Sequence, residues 1–92
     1  MFVPTETQQF AVQAKLNMAL GKETFDRLFL GMEIDGVSDG VMKIWVRSEH
    51  CALDIQANHA GTIAVVAENI LKKPIKSVLV LPKTFRDTGQ TL

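Results

Sequence analysis

Between Met32 and Val46 the spacing of apolar residues changes from three and four to two, and Asp39-Gly40 interrupts the run midway. Successive side chains of a strand point to opposite faces, so a period of two commits the segment to extended backbone. An Asp-Gly pair supplies the positive φ angles of a two-residue hairpin turn. The prediction is a β-hairpin, Met32–Val37 with Val41–Val46. In its second strand Met42, Ile44 and Val46 share one face and Val41, Lys43 and Trp45 the other. The first set is expected to meet a layer of helices, which leaves Trp45 on the outer face or at an edge.

Helical patterns lie on both sides of this hairpin. Pro4-Thr5 with Gln8 three residues on is a capping-box signature, and Val12, Leu16, Ala19 and Leu20 follow at helical spacing, predicting a helix over about 5–20. Gly21 stops it. Phe25, Leu28, Phe29 and Met32 fall at i, i+3, i+4 and i+7, which predicts a second helix over about 23–31. Beyond the hairpin, Ser48 is a good N-cap for a long apolar periodicity from Cys51 to Ile70, which Gly61 kinks or divides and Pro74 ends. Ser77–Leu81 is a continuous apolar run of strand length, expected as a third, buried strand. The order α-α-β-β-α-β implies an α+β fold, a three-stranded sheet covered on one face by helices over residues 1–82, with 83–92 a polar tail or the start of a linker.

Ninety-two residues support one core, since a chain of this size buries roughly 60% or slightly more of its unfolded surface. A deep substrate cavity is harder to fit. Ten Lys and Arg balance ten Asp and Glu, whereas nucleic-acid binders carry an excess of cations to displace condensed counterions, so nucleic acid is expected to bind weakly or not at all. The most apolar stretch, Thr62–Leu71, contains Glu68 and Asn69 and falls short of the roughly 20 residues a membrane helix needs, so no membrane role is expected. Cys51 is alone and the amino terminus lacks a leader pattern, making the cytoplasm the expected compartment.

Reactive residues do not form a known constellation. His50 and Asp54 share a helical face at i, i+4 with Cys51 nearby, yet no CxxC or HExxH spacing accompanies them, and no metal or other cofactor is expected. Cys51 and His59 stand about 12 Å apart along a continuous helix, too far for a nucleophile and its base. The chain is therefore expected not to be an enzyme. Phe10, off the Val12–Leu16–Ala19 stripe, and Trp45 are the two rings hardest to place in one core; each is expected either to pack at the core's periphery or to contact a partner, since exposed aromatics are what interface centres use.

Order, lengths and several positions together resemble the amino-terminal domain family of the bacterial replication initiator DnaA. Leu20-Gly21-Lys22-Glu23-Thr24-Phe25-Asp26-Arg27-Leu28 matches the family's loop and second helix, in which a phenylalanine precedes a large apolar residue by three. Val41–Val46 followed by Leu53-Asp54-Ile55, then Ile63, Ala67 and Ile70 before Val78–Leu81, match its second strand, third helix and closing strand. The match covers about residues 8–82. It implies a KH-like fold and a protein-interaction and self-association module of DNA replication initiation, forming homo-oligomers and contacting the replicative helicase or a regulator. It also implies partner contacts at the start of the second and third helices. The family's acidic residue falls on Thr24, with the acid displaced to Glu23, and its aromatic falls on Cys51, with His50 as the available ring. The family's first-helix tryptophan is absent; Gln9 and Phe10 are its nearest occupants, and Leu28 replaces the second-helix tryptophan. A KH-like module binding single-stranded nucleic acid is the alternative, but the loop Gly21-Lys22-Glu23-Thr24 lacks the second glycine of a GXXG clamp and carries an acid. Lys72, Lys73 and Lys76 are its candidate contacts.

Overall fold

The computed structural model describes residues 1–85. Helix α1 spans Glu6–Leu20 and opens on the predicted capping box: Thr5 Oγ1 accepts from the Gln8 amide at 3.1 Å, and Gln8 Oε1 accepts from the Thr5 amide at 2.9 Å. Gly21 ends it at φ 90°, a conformation that costs a side-chain-bearing residue. Helix α2 is shorter than expected, Lys22–Leu28, because Phe29 already caps it and Gly31, at φ 83°, turns the chain toward the sheet. Phe29 and Met32, which completed the helical pattern, are buried from this turn instead.

Strands β1, Glu33–Ser38, and β2, Val41–Val46, pair antiparallel through Asp39 and Gly40, both at positive φ, as a primed hairpin turn requires. The register slips between Ile34 and Gly36, leaving Asp35 as a bulge residue. The single long helix expected after Ser48 is two helices, α3 over Glu49–Asn58 and α4 over Ala60–Leu71. The break falls at His59, not at Gly61: His59 leaves helical geometry at φ −128°, ψ −2°, and its ring stands edge-on to Phe29, with ring centroids 6.1 Å apart. This break lets α3 run beside the sheet while α4 packs on α1. Lys72, left-handed at φ 57°, closes α4.

Strand β3, Ser77–Pro82, joins β2 in parallel and gives a mixed sheet of order β1-β2-β3. The structure is thus α+β, with helices packed on a three-stranded sheet. Met42, Ile44, Val46, Val78 and Val80 meet Leu16, Phe29, Ile55 and Ile63 in one core, as the hairpin alternation predicted. On the opposite face Val41 and Leu79 are exposed. β3 is therefore not wholly buried as its unbroken apolar run suggested: among the described residues helices cover only one face of the sheet, so its burial alternates. No helix among the described residues is long and apolar enough to cross a membrane.

Both edges of the sheet are closed by side-chain amides, a feature that sequence periodicity does not reveal. At β1, Gln9 Oε1 accepts from the Ile34 amide at 3.0 Å, Gln13 reaches the Met32 carbonyl at 3.4 Å, and Phe2 exchanges main-chain bonds of 2.9 and 2.8 Å with Val37. At β3, Gln56 spans the Val78 carbonyl and the Val80 amide at 2.8 and 2.9 Å. Unpaired strand edges recruit other chains, and these amides satisfy the groups that would do so.

Candidate interaction surfaces

Helix α1 buries Val12 and Leu16 against the sheet layer and turns its other side to solvent. There Phe10, Ala14 and Met18 follow one another four residues apart, with Phe10 62% and Met18 78% exposed. A four-residue step returns to nearly the same face, so these residues form one apolar ridge that no other described residue covers. Ala14, between the two large side chains, makes it a shallow saddle. Only Glu6 and Lys15 are charged along the whole helix.

The second surface expected from the sequence lies where α2 meets α3. Arg27 Nη1 stands 3.5 Å from Asp54 Oδ2, and the Arg27 carbonyl accepts from both the Cys51 thiol and the Arg47 guanidinium. Glu23 and His50 each lie one turn before this bridging pair, and both are exposed. Thr24 is half-buried. Asp54 is held below its ordinary carboxylate range, first by the Asn58 amide, which donates to it at 2.9 Å, and then by the charges of Arg27 and His59.

Two of the residues expected at partner contacts are largely buried. Cys51, placed where the family carries an aromatic, is buried in the core cluster, because its position in the first turn of α3 faces α2 and not solvent. Trp45 does lie on the outer face of the sheet, yet it is only 9% exposed. Its indole N–H donates to Asp35 at 3.2 Å, and the Lys43 ammonium sits 5.5 Å from the ring centroid. The Asp35 bulge is what brings that carboxylate to the ring, and a bulge leaves no periodicity signal to read.

The groups considered for chemistry are dispersed. Among the described residues no three His, Cys, Asp or Glu side chains gather as a metal would need. The His59 ring meets Phe29, while the Cys51 thiol points to the Arg27 carbonyl. Lys72, Lys73 and Lys76 are exposed; Lys73 lies 5.0 Å over the Phe2 ring, and Lys76 packs across Gly40.

A surface that the sequence did not announce runs between α3 and β3. A groove of about 480 Å³ is walled by Ala52 and Leu53 on one side and Val80, Leu81 and Pro82 on the other, and Phe85 also lines it. Phe85 follows Lys83, which bonds the Gly31 carbonyl at 2.6 Å and Glu33 at 3.0 Å, so residues 83–85 pack back on the domain. The remainder of the stretch read as a tail lies outside the described residues. Together these features define a small α+β domain whose most distinctive chemistry, among the described residues, is uncovered apolar surface. Neither a protein-family model nor a curated protein matches the sequence.

Proposed function

We propose that this domain works by holding other proteins, including a second copy of itself, within the machinery that initiates DNA replication. The α1 ridge is the observation that carries the reading: a helix nearly free of charge keeps two large apolar side chains in water, one of them aromatic. The ridge is self-complementary. Two copies packed antiparallel about Ala14 set Phe10 of each against Met18 of the other, about 6 Å along the helix from the twofold centre.

The replication context is supported by the resemblance in element order and by the α2–α3 junction, where Glu23 and His50 stand exposed at helix starts. Two helices, a hairpin, a helical pair and a closing parallel strand support the finer KH-like reading. Under this proposal α1 joins copies and the α2–α3 junction meets the replicative helicase or a regulator.

Sedimentation equilibrium over a wide concentration range tests the self-association arm. A reversible dimer at high concentration is the expected outcome. A strict monomer that instead gives a salt-dependent shift with single-stranded DNA would replace this reading with the nucleic-acid one.

A further inference from the structure

The two sheet edges are closed differently. Gln9 and Gln13 are half-buried at β1, where the Phe2–Val37 pair adds a main-chain seal. Gln56 is exposed, and among the described residues both side-chain bonds at the β3 edge are its own. Its amide nitrogen donates to the Val78 carbonyl and its oxygen accepts from the Val80 amide. One residue of a parallel neighbouring strand makes this pair of bonds, donating to residue i−1 and accepting from residue i+1 across from it. Gln56 thus occupies, with a side chain, the place of one peptide residue.

The groove beside this amide is of ligand size, within the range of about 300–1,000 Å³ typical of binding clefts. Its walls are apolar apart from Gln56, Thr84 and Glu49, and Glu49 is the one charged residue among those lining it. Glu49 has no cationic partner among the described residues, so the groove presents apolar surface with a single negative charge on its rim. Pro82, two residues beyond Val80, has no N–H and so limits pairing to the Val78–Val80 stretch.

We propose that the α3–β3 groove docks an extended apolar segment of a partner protein that carries a Lys or Arg, and that this segment adds to β3 as a parallel strand by displacing the Gln56 amide. The exchange conserves hydrogen bonds: the peptide main chain takes over the two that Gln56 releases. Binding then draws on apolar side chains entering the groove and on the pairing of the basic residue with Glu49. This site is separate from the α1 ridge, so either can fail without the other.

The test uses the full chain and a synthetic acetyl-Lys-Val-Thr-Leu-Thr-Val-amide, followed by amide chemical shifts. Saturable shifts at Val80 and at the Gln56 side-chain NH₂ are expected. Gln56→Ala removes the competing amide and should tighten the peptide roughly fivefold to tenfold, the net worth of about one hydrogen bond. Leu53→Arg, at an exposed position, should abolish binding while leaving the fold intact, and it keeps the test open if Gln56→Ala does not fold. Glu49→Lys should shift preference to the peptide with Glu in place of Lys. N-methylation of the peptide on its β3-facing edge should abolish binding. Equal binding of the N-methylated peptide would overturn strand addition. Silence at Val80 with millimolar peptide would overturn the site, and a Gln56→Ala dimer indifferent to peptide would show that a second copy is the occupant.

Discussion

Replacing Phe10 by Ala separates the two jobs of α1, because the ring lies off the core while Val12 and Leu16 beside it are wholly buried. An aromatic side chain offers roughly 200 Å² of surface, so 62% exposure leaves about 120 Å² for a partner to cover. If a single-helix seam covers about half of that, each ring contributes about 1.5 kcal/mol at ~25 cal/mol per Å². A symmetric dimer holds two such rings, so Phe10→Ala should cost about 3 kcal/mol of association, roughly a hundredfold in the dimer constant. The monomer should be unaffected or slightly firmer, since Ala is the better helix former and exposed substitutions usually stay within about 0.5 kcal/mol. Sedimentation equilibrium gives the dimer constant, and thermal unfolding of dilute protein gives the monomer's stability. A wild-type chain that stays monomeric at about 1 mM, where even a 4 kcal/mol association would register, refutes the ridge as a dimer seam. So does a variant whose dilute midpoint falls by several degrees, because Phe10 would then belong to the core.

Phe29 is the opposite case: it is fully buried and stacks on Phe25 with ring centroids 5.8 Å apart. Phe29→Ala should cost about 3–5 kcal/mol in urea unfolding, a large part of the total for a domain this size, and a loss under about 1 kcal/mol would contradict the packing. A Cβ at Gly36 would sit 3.0 Å from the Phe2 carbonyl oxygen and 2.9 Å from Met1 Sδ. Gly36→Val should therefore unseat the Phe2–Val37 pair for about 1–2 kcal/mol and speed hydrogen exchange at the Val37 amide, with unchanged protection there as the contrary result. Glu23→Lys combined with His50→Ala should reduce capture of the replicative helicase or another replication protein without moving the melting temperature; full capture by the folded double variant would clear the α2–α3 junction of that role. Asp54, whose folded value is depressed, contributes stability that is complete above its unfolded value of about 4 and is lost as pH falls through the folded one. Wild type should thus lose more stability than Asp54→Asn below about pH 4, and parallel acid profiles would contradict the Asn58 and Arg27 contacts.

Much of this architecture is local and could be read from the chain. The capping box at Thr5 and Gln8, the Asp39-Gly40 turn and the alternation of Met42, Ile44 and Val46 are settled by residues within a few positions of one another, whose conformational preferences hold wherever the segment sits. The exposure of Phe10 was only half legible: its offset from the Val12–Leu16 stripe left peripheral core packing open, and the packed fold is what leaves the ring 62% exposed. Tertiary structure decided what depends on distant neighbours. The break between α3 and α4 falls at His59, where the ring meets Phe29 thirty positions earlier in the chain, so Gly61, the better local breaker, stays helical. Cys51 is hidden because α2 lies over it, and Trp45 is held by the carboxylate of a bulge in the neighbouring strand. Gln9, Gln13 and Gln56 look like ordinary polar helix positions until the sheet edges arrive beside them 19 to 25 residues away in sequence. Helical period tells which way a side chain points; only the packed fold places a strand edge or a groove at its tip.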